Sequence, residues 1–181
     1  MNNKTRRLAA MGILCALAYT AAAAGRVPLV LFLKYDPKDV VIALGGFIFG
    51  PLPALFIAGT VSLAEMLTVS ETGVLGFVMN VISSCSFACT AALIHRRKRG
   101  IVGAAVGLFC GWLCMVSAMM LWNYLIAPFY MGYPREAVAE MLLPVFLPFN
   151  LLKGGLNAGI SLLVYKAVLF SPQFRDMLRR K

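Results

Sequence analysis

The feature that most constrains this chain is a succession of long apolar blocks separated by short basic or turn-forming segments. A helix needs about 20 mostly apolar residues to cross a hydrocarbon core of ~30 Å. Inside lipid, only helices and closed barrels satisfy their own backbone polar groups. Several such blocks within 181 residues, 61% of them hydrophobic and only 13% charged, imply one polytopic helical membrane domain over residues 1–181. The mean hydropathy of +0.84 agrees. The net charge of +10 does not point to nucleic acid, because the basic residues lie between the apolar blocks and at the ends, where membrane topology signals lie.

The fold class expected is all-α, with six helices at residues 8–25, 39–50, 51–69, 73–95, 101–127 and about 140–170. The first block, with its trailing AAAAG, has the outline of a signal peptide, but the topology works with it retained as a spanning helix. The second helix, at 1.5 Å per residue, is only about 18 Å long. It is a partial span completed by the extended segment before it, and such short, Gly/Pro-interrupted segments point to a binding site. Eleven basic residues then fall on one side: Lys4, Arg6 and Arg7, the run Arg96, Arg97, Lys98 and Arg99, and Arg175, Arg179, Arg180 and Lys181. The other side has Arg26, Lys34, Lys38 and Arg135. The positive-inside rule places both termini in the cytoplasm. Two outer segments follow, the long apolar loop 26–38 and the aromatic turn 128–135. Each reads either as interfacial belt or as a lid over a pocket.

Cys15, Cys85, Cys89, Cys110 and Cys114 all fall in apolar blocks and read as small packing residues. No Cys–His zinc spacing, Ser–His pair or paired aspartates occur within the blocks, and His95 sits in the basic run HRRKR. An intramembrane enzyme is therefore disfavoured. There is no G-x-x-x-x-G-K-[ST] loop, so the chain cannot hydrolyse ATP alone.

The polar residues that interrupt the blocks are unevenly placed. A charge near the bilayer centre costs roughly 2.5–3.5 kcal/mol on insertion scales and needs a partner or a cavity. With Lys166 at the cytoplasmic interface, Lys153 lies about 20 Å above it. Asn80 lies about 22 Å above His95, Asn123 about 34 Å above Gly100 and Glu65 about 21 Å above Pro51. Four helices thus place a strongly polar residue in the outer half. In PFNLLKGGLNAG (148–159), Asn150, Lys153 and Asn157 share a helical face. For Lys153 the readings are a buried pair with Glu65 or an outer ligand cavity, the second preferred. Asn157 reads as an interhelical hydrogen-bonding residue. Gly154, Gly155 and Gly159 read as close packing or as bare backbone against a ligand. Trp112, Trp122, Phe129 and Tyr130 would supply flat apolar surface, so a small planar molecule with polar edges suits such a cavity.

These stretches carry a resemblance. FLKYDPKDVVIALGGFIFGPLPAL (32–55), GFVMN (76–80), WNYLIAPFY (122–130) and PFNLLKGGLNAGISLLVYK (148–166) resemble the riboflavin-specific substrate-binding S components of energy-coupling-factor (ECF) transporters. With the helix order, the resemblance covers nearly the whole chain. It implies an outer pocket capped by the first loop. The ligand contacts it implies are Asn123, Asn150 and Lys153, with Asn80 and the lid residues Leu33, Lys34 and Tyr35 more weakly matched. It implies riboflavin as transported ligand without any cofactor, and as partners a transmembrane coupling protein and two ATPases. The small-residue face Gly12 and Ala16 of the first helix would dock on the coupling protein, or else pack within the bundle. An S component for thiamine, biotin or pantothenate, or an autonomous secondary transporter, are the competing functions.

Overall fold

The computed structural model describes residues 3–25, 27–30, 33–70 and 72–170, except the side chains of 3, 27–30, 33, 34, 130, 169 and 170. Seven helices follow in order: α1 (Asn3–Ala24), α2 (Lys38–Phe49), α3 (Pro51–Thr68), α4 (Gly73–Arg97), α5 (Ile101–Met131), α6 (Arg135–Met141) and α7 (Leu147–Phe170). Among the described residues, five helical segments are long and apolar enough to span a membrane: α1, α3, α4, α5 and the run from Arg135 to Val168. The sixth crossing is α2, whose 12 residues leave it a partial span.

The boundaries have local causes. The chain leaves α2 through Gly50, at φ +101° and ψ 177°, a backbone region that favours glycine. Pro51 then opens α3, where its fixed φ suits a first helical turn and its missing N–H costs nothing. The fifth helix does not stop at Ala127 as expected. It runs through Pro128 to Met131 and ends at Gly132, which is left-handed at φ +71°. The outer turn is accordingly shorter than the 128–135 segment. The last crossing starts earlier than expected, at Arg135, and passes from α6 to α7 through a π-helical stretch, Leu142–Phe146. Pro144 and Pro148 cannot donate backbone hydrogen bonds, which loosens the helical ladder here. Such π segments are frequent at functional sites.

The first outer loop is also more ordered than a loop. It folds into an antiparallel hairpin, β1 (Val27–Val30) with β2 (Leu33–Tyr35), pairing Val27 with Tyr35 and Pro28 with Lys34. Helix α2 lies in the middle of the bundle, against α1, α3, α4 and α7. Its Ile42, Ala43 and Phe47 pack with Ile57, Val61 and Phe87. Alanines at 54, 58, 88, 91 and 104 are completely buried. Lipid offers no hydrophobic drive for helices to associate, so small residues that admit close backbones hold them together. Helices α4 and α5 show this best: a methyl on Gly107 would lie 2.6 Å from the Ala91 carbonyl oxygen.

Candidate ligand-binding site

Under the hairpin, the entry to α2 carries a charged string, Asp36-Pro37-Lys38-Asp39, that is buried and not solvated. Lys38 is 1% exposed and forms a close ion pair with Glu65 of α3, itself completely buried. The Lys38 ammonium also lies 3.8 Å from the Asp36 carboxylate. Asn80 of α4 donates to the same Glu65 oxygen at 3.3 Å. Asp39 ties the other side together. It accepts from Ser84 of α4 at 2.5 Å and from Asn157 of α7 at 3.2 Å. The oxygen that accepts from Asn157 also lies 3.9 Å from the Lys153 ammonium. Tyr35 of the hairpin donates to the Asn157 amide oxygen at 2.9 Å. Burial first, then the carboxylates of Asp36 and Asp39, hold the Tyr35 hydroxyl above its usual range, so it stays protonated and remains the donor.

One connected network therefore joins the hairpin to α2, α3, α4 and α7. Its two ammonium groups face three carboxylates, so the charges nearly balance in a setting where an unpaired ion would be costly. Of the two readings of Lys153, a Glu65 pair is the one corrected: Glu65 belongs to Lys38, and Lys153 lies beside Asp39. At 3.9 Å that pairing exceeds hydrogen-bond length, so the three ammonium donors of Lys153 are not committed to Asp39. Asn157 is the interhelical hydrogen-bonding residue its position indicated.

The other site residues of the sequence reading are placed as follows. Asn123 on α5 and Asn150 on α7 are both buried. Asn150 donates to the Phe146 carbonyl at 2.7 Å, at the end of the π stretch; its amide oxygen is not used in that bond. Asn80 is half-buried and turned toward Glu65. The backbones of Leu33 and Lys34 lie in β2, but their side chains, and that of Tyr130, are outside the described residues. Phe129 is exposed and gives no cavity wall. Trp112 is not a free platform either, because it packs across α7, where a methyl on Gly154 would overlap its ring. Gly154 is thus a packing glycine. Gly159 has open space around it and joins Trp112 and Gly155 in lining an apolar cavity of about 420 Å³ between α5 and α7. Gly12 and Ala16 are exposed on α1, facing away from the bundle. His95, which opens the basic run HRRKR, sits buried in the last turn of α4, its Nε2 2.7 Å from the Tyr165 hydroxyl.

Residues 6–165 match the family model of the ECF transporter, substrate-specific component. The chain is an ECF S component. Such S components are transporter subunits that work with membrane and ATPase partners, and this one is a multi-pass membrane protein. It is similar to the S component of a bacterial ECF transporter of solved structure, at 25% identity and a TM-score of 0.78, over 92% of this chain and 96% of that one. An S component for biotin shares the fold at 16% identity and a TM-score of 0.57, over 92% and 95% of the two chains. No curated protein matches the chain.

The sequence reading missed Asp36, Lys38, Asp39 and Ser84 as members of the site. A signal for them existed. Lys38 and Asp39 are the only charges in a helix otherwise composed of apolar residues and glycine, so they had to find buried partners.

Proposed function

We propose that this S component binds riboflavin at the hairpin-capped end of the bundle, on the extracellular side, with both termini cytoplasmic, and passes it to an ATP-driven ECF module. The observation that carries the reading is that Asn123 on α5 and Asn150 and Lys153 on α7 are all buried polar groups in apolar helices. Lys153 lies beside Asp39, which Asn157 ties to Tyr35 of the hairpin. Two amides and an ammonium match a planar ring edge that alternates hydrogen-bond acceptors and donors. Asp39 sets a carboxylate beside the ammonium without consuming its donors. Binding needs no covalent step: the ligand replaces the water that these groups would otherwise hold, and the hairpin closes over it. Because Tyr35 bonds Asn157, and Asn157 bonds Asp39, hairpin position and Lys153 position are linked.

Titration of riboflavin into the detergent-solubilised protein, followed by flavin and tryptophan fluorescence, tests this. Saturable quenching below micromolar ligand is expected, with no competition from thiamine, biotin or pantothenate. Absence of saturable quenching, or displacement by one of those vitamins, would refute it.

A further inference from the structure

At the end of the bundle opposite the polar network, a cavity of about 360 Å³ opens between the termini of α1, α2, α3 and α4. Arg7, Arg96 and Arg99 line it, together with Phe49, Gly50 and Leu52. These guanidinium groups face no nearby acid among the described residues. Asp36 and Asp39 stand at the entry to α2, Glu65 in the last turn of α3, and Glu136 and Glu140 on α6, all at the other end. Arg7 is held in place: it donates to the Phe49 carbonyl at 3.1 Å, and its guanidinium carbon lies 5.7 Å over the Phe49 ring. Each guanidinium carries five donors in a planar fork, so Arg7 keeps donors for a ligand. The cavity also receives the start of α3, where Pro51 and Pro53 carry no N–H, so its anion donors are the arginines. Gly50 leaves that backbone bare.

We infer that this cavity binds a phosphate oxyanion, supplied by the headgroup of an anionic phospholipid in the adjoining leaflet. Three guanidinium groups, Arg7 among them held in place, provide the anion chemistry, and basic pockets between membrane helices are suited to such headgroups. The rim decides for a lipid over free phosphate. Leu52 on the cavity wall and Phe56 one turn along α3 are both 68% exposed and share a face, giving an apolar track for acyl chains that starts at the cavity. The inference holds whichever ligand the outer site takes. General topology charge does not account for it, because Arg6, Arg97 and Lys98 sit at the same end without lining the cavity.

The test is native mass spectrometry of the full chain in detergent with phosphatidylglycerol, with phosphatidylcholine in parallel, and with inorganic phosphate in a separate arm. An Arg7→Gln/Arg96→Gln/Arg99→Gln variant is compared with Arg6→Gln/Arg97→Gln/Lys98→Gln, which loses the same charge. Phosphatidylglycerol affinity should fall about a hundredfold in the first, roughly fivefold per basic residue, and stay near wild type in the second. The single substitutions Arg96→Gln and Arg99→Gln read the same effect, about fivefold each, should the triple variant not fold. Equal loss in both triple variants would overturn the proposal, as would equal binding of the two lipids. Displacement of phosphatidylglycerol by millimolar phosphate would reassign the cavity to a free anion. Loss of co-purification with the coupling protein while lipid adducts persist would reassign it to a protein partner.

Discussion

Replacing Lys38 with Met should destabilise the protein far more than its position beside an outer loop suggests. Lys38 and Glu65 are 1% and 0% exposed and form a close pair. Removing the ammonium leaves the Glu65 carboxylate buried without the cation that balances it. Breaking a buried pair by deleting one partner costs about 3–5 kcal/mol. For a chain of this size each kcal/mol lowers Tm by roughly 2–4 °C, so a fall of about 10 °C is expected. Lys38→Met/Glu65→Leu removes both charges and fills the space with apolar atoms, which is often neutral or stabilising. The double variant should therefore melt above the Lys38→Met variant, short of wild type because Asp36 also loses the Lys38 ammonium, with a coupling of about 3 kcal/mol between the two sites. Thermal unfolding of the four proteins in one detergent, followed by tryptophan fluorescence, measures the cycle. A double variant that melts lower than either single one would show that the pair is not coupled and would refute the reasoning.

Lys153→Met should weaken riboflavin binding by about 1.5–3 kcal/mol, the range for a hydrogen bond from a charged donor. Asn157→Ala should weaken it less, because Asn157 acts through Asp39 and Tyr35; equal losses in the titration would contradict the division of roles. Gly154→Leu should lower Tm by forcing Trp112 off α7, overpacking that costs about 1–3 kcal/mol, whereas Gly159→Ala, into open space, should leave Tm unchanged. Ala16→Leu on the exposed face of α1 should leave riboflavin binding intact and reduce co-purification with the coupling protein; unchanged co-purification would remove that face from the interface.

Much of the fold is legible because hydrophobic length is a strong signal. The shortness of α2 follows from the breakers around it, Pro37 before and Gly50-Pro51 after. The extension of α5 through Pro128 is not legible, since a proline one turn from a helix end removes a bond that neighbouring packing can replace. The hairpin is hidden for another reason. Residues 27–33 are apolar throughout, so the two-residue alternation that marks a half-buried strand is absent. Depth counting singles out Lys153, Asn80, Asn123 and Glu65, because each interrupts a long apolar run, and of these Lys153, Asn80 and Glu65 meet in the polar network. It misses Lys38 and Asp39, because charges at a helix start look solvated until the fold closes over them. Partner choice is the least legible level: helical spacing places Glu65 at a depth that suits Lys153 or Lys38 alike, and only the crossing of α2 beside α3 gives it to Lys38.

The most direct test of the central claim is identification of the small molecule carried by the protein itself. The chain should be purified in detergent from cells grown without added vitamin, denatured, and its supernatant analysed by mass spectrometry. The account predicts riboflavin in near-stoichiometric amount, lost in Lys153→Met. Recovery of biotin, thiamine or another vitamin in its place would contradict it.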